Sequence, residues 1–251
     1  MGNKTRLVIA DQQRLFAEAC KQVLEPEFEV VAIVADGRSL VQVAIEQNAD
    51  ALILDVALPQ LNGLDAAEQV TRKSPSVKIM ITTANSDPEI AAEAFRRGAS
   101  AYVLKQSGTE EYLAALRKVL RGDSYLCSLI ARETIDYLLH KPKRENLRRI
   151  TRRQSEILQL LAEGRSMKVV ANILDISPGT VAFHKYDMMA RLGIETNAAL
   201  LQYAMRNNIS LEERDWTVLD SRGTRSSFTV GEGGVAHRTG AQERTRSRQQ
   251  V

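Results

Sequence analysis

Five short apolar runs, each followed by an amphipathic stretch, constrain this chain more than any other feature. The runs are RLVIA from Arg6, FEVVAIV from Phe28, ALIL from Ala51, VKIMITT from Val77 and AYVL from Ala101. They are rich in Val and Ile, and several are apolar almost throughout, the pattern of strands covered on both faces. Segments 12–25, 38–48, 63–73, 87–97 and 109–121 carry helical periodicity instead. Strand and helix alternating in this way predicts an α/β doubly wound domain with a parallel five-stranded sheet over residues 1–122. In that architecture ligands bind beyond the carboxyl ends of the strands, at a topological switch point.

The pattern changes after Arg121. One more helical stretch lies near Leu129 to His140, followed by the charge-dense KPKRENLRR, so residues 123–147 read as a helical, basic linker. Four helical patterns follow, at 151–163, 167–174, 178–192 and 196–207, and predict a small all-α domain over 148–211. From Glu212 the chain is rich in Gly, Ser, Thr and Arg, with little apolar periodicity, so residues 212–251 are expected to be a disordered tail. Its seven arginines could touch nucleic acid, but solvated filler is the favoured reading. Charge divides the chain as well: residues 1–122 hold 14 basic and 16 acidic side chains, residues 123–251 hold 20 and 15. Only the back half is therefore expected to meet a polyanion.

Runs such as ALIL are far too short to cross a bilayer. The start MGNKTRLVIAD has no signal-like apolar stretch, and Gly2 fails the myristoylation pattern because Arg6 stands where Ser or Thr is needed. The two cysteines, Cys20 and Cys127, lack metal-ligand spacing, so reduced thiols in a cytoplasmic protein are expected.

The decisive positions are strand ends. Asp11 closes the first run, Asp55 the third and Thr83 the fourth, and Lys105 follows the fifth. Polar residues commonly end strands, so each alone is unremarkable; a parallel sheet brings all four to one edge. The segments that hold them, IAD at 9–11, LDVALPQLNG at 54–63, ITT at 81–83 and GASAYVLK at 98–105, resemble the receiver domain of two-component response regulators, a flavodoxin-like fold. The resemblance implies that Asp55 accepts a phosphoryl group from a sensor histidine kinase. Mg²⁺ would be held by Asp11, Asp55 and the backbone carbonyl of Ala57. Lys105 and Thr83 would contact the phosphoryl oxygens, and Thr83 moving toward the phosphate would draw the Tyr102 ring inward as a switch. Pro59 fixes φ in the following loop, and Asn62-Gly63 suits a turn.

One position departs from that pattern. Receivers show two adjacent acids after the first strand, whereas this chain reads DQQ, with Gln12 in the second place. A Gln oxygen is only a weak, uncharged metal ligand. Losing a unit charge at roughly 4 Å is worth up to about 4 kcal/mol at an effective dielectric near 20. Weak Mg²⁺ binding and slow or conditional phosphorylation are therefore expected.

In the back half, Thr151 suits an N-cap and Gly164 a helix stop; Asp175-Ile176-Ser177 makes a turn, with Ser177 as N-cap and Pro178 at the first helical position. Helix, short turn, helix is the layout whose second helix enters the major groove. The segment from Ile150 to Ile194 resembles the LuxR-type helix-turn-helix, and with the receiver this implies the NarL/FixJ family. At about 100° per residue, Val181, Met188 and Leu192 face the core, while Gly179, Phe183, Tyr186 and Ala190 face outward, flanked by Ala182 and Asp187. That face holds no basic residue, although the family commonly has Lys or Arg near 182 or 187. Phe183 could meet a thymine methyl, and Asp187 a cytosine amine or, as readily, phosphate repulsion. The DNA-facing set is Lys168, Thr180, Ala182, Phe183, His184, Lys185, Tyr186 and Arg191, with affinity resting on flanking cations that include Arg148, Arg149, Arg152, Arg153 and Arg165. The last helix, with Ala198, Leu201, Ala204 and Met205, resembles a dimerisation helix, and core packing would look the same.

Three functions are open at this point. The first is a non-enzymatic transcriptional regulator, a homodimer on a two-fold related DNA site, controlled by phosphorylation of Asp55. The second keeps the DNA binding without the phosphorylation. The third, much less favoured, is a small metal-dependent phosphatase using Asp55, for which no general acid is suitably placed.

Overall fold

The computed structural model describes residues 4–140, 150–207 and 209, with strand segments at 217–219, 225–230 and 236–238. The front of the chain alternates β1 (Arg6–Ala10), α1 (Arg14–Leu24), β2 (Glu29–Val34), α2 (Gly37–Glu46), β3 (Ala51–Leu54), α3 (Gly63–Lys73), β4 (Lys78–Thr83), α4 (Pro88–Arg96), β5 (Ala101–Leu104) and α5 (Thr109–Leu120). The strands pair in parallel in the order β2-β1-β3-β4-β5. β3 and β5 are buried along their whole length, which is why their sequences carry no polar alternation.

The sheet has six strands, not the five expected. After α5, Gly122 turns the chain at φ +96°, and β6 (Tyr125–Leu126) joins β5 in parallel. Two residues are too few to show a period, so this strand left no pattern in the sequence. Next comes α6 (Ser128–His140), packed against α4 with Ile130 and Thr134 buried. The remaining linker residues, 141–147, lie outside the described residues.

The second body consists of α7 (Arg152–Ala162), α8 (Met167–Leu174), α9 (Pro178–Leu192) and α10 (Asn197–Arg206). It encloses its own core of Ile157, Leu158, Leu160, Val170, Val181, Met188, Leu200 and Ala204. Thr151 caps α7 in a capping box with Gln154, and Ser177 caps α9 by accepting from the Thr180 N–H at 3.0 Å. Asp175 and Gly193 end α8 and α9 in the left-handed region. Thus α8, turn and α9 form the predicted helix-turn-helix.

Where the tail is described it differs from the disorder expected. β7 (Thr217–Leu219), β8 (Arg225–Val230) and β9 (Ala236–Arg238) form a three-stranded antiparallel sheet within a unit of its own, Glu212–Val251. RSSFTV combines β-branched and aromatic residues, which suit a strand. The rest of the tail lies outside the described residues.

Candidate functional site

The parallel sheet brings the four strand-end residues to one edge, as their spacing predicted. Main-chain bonds set Asp11 and Asp55 in adjacent strands: the Asp11 N–H donates to Val34 O at 3.0 Å, and the Asp55 N–H to Ala10 O at 2.9 Å. Both carboxylates are nearly out of water, at 2% and 4% exposed. Lys105 Nζ bridges them, 2.6 Å from Asp11 Oδ2 and 2.7 Å from Asp55 Oδ2. The remaining oxygens accept main-chain bonds, Asp11 Oδ1 from Gln13 N at 2.7 Å and Asp55 Oδ1 from Ala57 N at 3.1 Å. Burial pushes the Asp11 carboxyl above its ordinary range despite the hydrogen bond from Lys105.

Gln12 lies in the bend after β1 with an exposed side chain. Its neighbour Gln13, not singled out from the sequence, is the amide that reaches the pocket: its Oε1 accepts from Lys105 Nζ at 3.2 Å. Lys105 also lies 4.8 Å from the centre of the Phe16 ring, which confines its ammonium over an apolar face. The quoted DQQ held a signal for Gln13; nothing in sequence spacing pointed to Phe16.

The loop after Asp55 needs Gly63 for a reason other than a turn. A Cβ there would lie 2.0 Å from the Asp55 carbonyl oxygen, so the start of α3 touches the backbone of the candidate phosphoacceptor directly. Asn62 caps α3, accepting from the Asp65 N–H at 2.9 Å. Gln60 takes a positive φ of 65°.

Thr83 and Tyr102 sit on the neighbouring strands. The Thr83 hydroxyl accepts from Asn85 N at 3.2 Å and keeps its own proton to donate. Tyr102 is fully buried, and its hydroxyl donates to Asn85 O at 2.7 Å. The inward ring position, expected to follow a movement of Thr83, is therefore the one the chain adopts here. The β5 edge beside it is paired with β6.

On α9, Val181 and Met188 are buried and Leu192 packs against the core, as the helical phase predicted. Phe183 and Tyr186 stand out at 67% and 61% exposed. Ala182, His184 and Lys185 are half-buried beside them, and Arg191 and Lys168 are exposed. Lys185 Nζ lies 5.4 Å from the Tyr186 ring centre, and His184 meets the Phe183 ring edge-on. Thr180 is half-buried, and its hydroxyl shares a 2.9 Å bond with Ser177.

Three flanking expectations change. Asp187 Oδ2 accepts from Gln154 Nε2 at 2.6 Å and pairs with Arg191 at 3.0 Å, so it braces α9 on α7 instead of facing a base edge. Arg152 pairs with Glu68, and Arg153 pairs with Glu156 and donates to Leu174 O. These cations thus also serve packing, with 41% and 36% of their side chains exposed. Arg148 and Arg149 lie outside the described residues.

Both parts of the chain match known families. Residues 7–117 match the response regulator receiver domain, and residues 148–204 match the bacterial regulatory proteins of the luxR family. The oxygen regulatory protein NreC of Staphylococcus haemolyticus is 30% identical over 213 residues, covering 81% of this chain and 98% of the relative. The transcriptional regulatory protein DegU of Brevibacillus brevis is 28% identical over 223 residues, covering 82% and 94%. Among solved structures, RcsB of Salmonella enterica serovar Typhimurium, bound to a promoter in the presence of the phosphomimetic BeF3⁻, matches with a TM-score of 0.52 at 26% identity, covering 80% of this chain and 98% of that one. Among the described residues no helix is long and apolar enough to cross a membrane. With both domains matched in this order along nearly the whole of its relatives, the chain belongs to the NarL/FixJ family of response regulators, DNA-binding regulators of transcription that join a receiver to a LuxR-type helix-turn-helix.

Proposed function

We propose that Asp55 is the phosphoacceptor of a phospho-controlled, cytoplasmic, dimeric transcription regulator. The observation that carries this reading is the Lys105 ammonium held against both Asp11 and Asp55 at the carboxyl edge of the sheet. An Asp55 carboxylate oxygen attacks the phosphorus of a kinase phosphohistidine; the P–N bond breaks and the imidazole leaves with the bonding pair. Phosphoryl transfer demands charge neutralisation above all. Lys105 supplies one fixed positive charge, and Thr83 offers a hydroxyl proton.

Receiver domains use Mg²⁺ in this reaction, and the residues present fit it. Two carboxylates, Asp11 and Asp55, with the Ala57 carbonyl make an all-oxygen donor set suited to a hard cation, to which Gln12 would add a weak neutral ligand. The metal would neutralise phosphoryl oxygens alongside Lys105. On the DNA side, Phe183 and Tyr186 face the major groove, with Ala182 and Thr180 beside them. Lys168, His184, Lys185 and Arg191 contact phosphates, on a two-fold related site bound by two copies.

The test is phosphorylation of the purified chain by a small phosphodonor with Mg²⁺, read as an intact-mass shift, beside Asp55→Asn and Gln12→Asp. A shift lost in Asp55→Asn and faster in Gln12→Asp is expected. A folded chain that binds DNA but never gains the mass would favour the second reading, phosphorylation-independent control, for which the inward Tyr102 already speaks.

A further inference from the structure

The face of α7 turned away from its own domain's core is built for a contact that the DNA-binding function does not use. Residues 152, 156, 159 and 163 recur at helical spacing along it, and every one is bonded to the receiver. Gln159, only 3% exposed, donates from Nε2 to Leu58 O at 2.9 Å and accepts at Oε1 from Asn62 N at 2.7 Å. Glu163 Oε1 accepts from Gln60 N at 2.8 Å. Glu156 pairs with Arg38 at 3.3 Å and accepts from Gln69 at 3.3 Å, and Arg152 pairs with Glu68.

Gln159 Nε2 also donates to Glu163 Oε1 at 2.9 Å, and together the two side chains bond three main-chain groups of one receiver loop, residues 57–62. That loop begins two residues after Asp55, carries the Ala57 carbonyl and ends against Gly63, whose Cα abuts the Asp55 carbonyl. Inside it, Gln60 is held at a φ that side chains seldom adopt, with its N–H aimed at Glu163. The contact leaves Phe183 and Tyr186 of α9 exposed. It is therefore a coupling device and not a mask. Tyr102 is a poor alternative conduit, because its ring is already inside and its strand edge is paired with β6.

We propose that α7 of the DNA-binding domain completes the phosphorylation site: Gln159 and Glu163 are positioning residues that hold the 57–62 loop in place. Occupancy of the Asp55 pocket and the state of α7 are then linked, and the linkage is reciprocal. This rests on the reading of Asp55 as phosphoacceptor.

Two measurements on the full chain test it. The first is hydrogen exchange followed by mass spectrometry, with and without Mg²⁺ and beryllofluoride. Wild type should change exchange at 56–63 and also at 152–163, whereas Gln159→Leu should change at 56–63 only. The second is the Mg²⁺ dependence of phosphorylation by a small donor. Gln159→Leu, which strips two buried hydrogen bonds from the loop, should raise the half-saturating Mg²⁺ by about fivefold, while Glu163→Gln, which keeps an acceptor for Gln60, should stay within about twofold of wild type. If Gln159→Leu does not fold, Glu163→Leu at the edge of the contact carries the same expectations. A wild-type response confined to the receiver, or an unchanged Mg²⁺ dependence in the Leu variants, overturns the coupling alone. No response to beryllofluoride anywhere, with wild type and Asp55→Asn alike, overturns the phosphoacceptor reading and the coupling with it.

Discussion

Lys105 lies within 2.7 Å of two carboxylates that are nearly out of water, while on the outward face of α9 the Phe183 and Tyr186 rings stand in solvent with Lys185 at the rim. In the proposed reading both places meet phosphate-bearing partners. The pocket concentrates its remaining charges at low dielectric, where each one matters greatly. The recognition face leaves its cations at the rim, where solvent screens them and losses are graded. Sensitivity to substitution should therefore differ sharply between the two, and that difference can be broken or sharpened by experiment.

The largest effect should come from Lys105→Met. It leaves Asp11 and Asp55 buried without their cation, and breaking such a pair from one side costs about 3–5 kcal/mol. Burial already holds the Asp11 carboxyl above its ordinary range, and without Lys105 it climbs further. The loss should then shrink as pH falls and Asp11 takes up a proton. Thermal unfolding of both proteins at neutral and mildly acidic pH reads this directly. A loss below about 1 kcal/mol would mean that solvent reaches the pocket and that the contrast with α9 is much weaker than drawn.

Phe183→Ala comes next, at about 1–3 kcal/mol of DNA affinity concentrated at one base-pair position. The measurement is binding to duplexes selected from a random pool, each then carrying uracil in place of thymine at single positions. Wild type should lose affinity at the position that Phe183 reads, and the variant should be indifferent there. An equal loss across all positions would make Phe183 a non-specific contact.

How legible these regions were follows from where their signals lie. Strand-end acids and caps are local, so Asp11, Asp55, Thr83, Lys105, Thr151 and Ser177 could be placed from spacing alone. The phase of α9 was also correct, because Val181 and Met188 recur at helical spacing and are both fully buried. What spacing could not show was pairing between distant segments. Arg152 read as a free phosphate-binding cation until Glu68 was placed opposite it, and Asp187 read as groove-facing until Gln154 met it. The sixth strand escaped because two residues carry no period, and the role of Gly63 because close approach of a backbone leaves no mark in composition.

Asp11→Asn has a smaller and less intuitive effect. The folded state raises the pKa of this group, so it binds the Asp11 proton more readily than the unfolded chain does. The ionised carboxylate thus lowers stability above the folded-state pKa, and the penalty vanishes as pH falls below the ordinary carboxylate range. Without added metal, Asp11→Asn should be more stable than wild type near neutral pH, with the gap closing on acidification. It should also lose Mg²⁺ binding. A variant less stable than wild type at neutral pH would show that the Lys105 bridge outweighs the burial.

The smallest effect tests the rim. Lys185 lies beside the Tyr186 ring and is half-buried, so its ammonium can serve phosphate and ring together. Lys185→Ala should weaken DNA binding by about threefold at moderate salt, evenly across sequences, and reduce the slope of log affinity against log salt by about one. Uniformity is the informative part. If affinity falls at one base-pair position only, Lys185 reads a base through or beside Tyr186, and the α9 face is not purely apolar in its reading. If the fall is even and the salt slope drops, the two regions stand as described, with charge concentrated in the receiver pocket and spread along the rim of the helix-turn-helix.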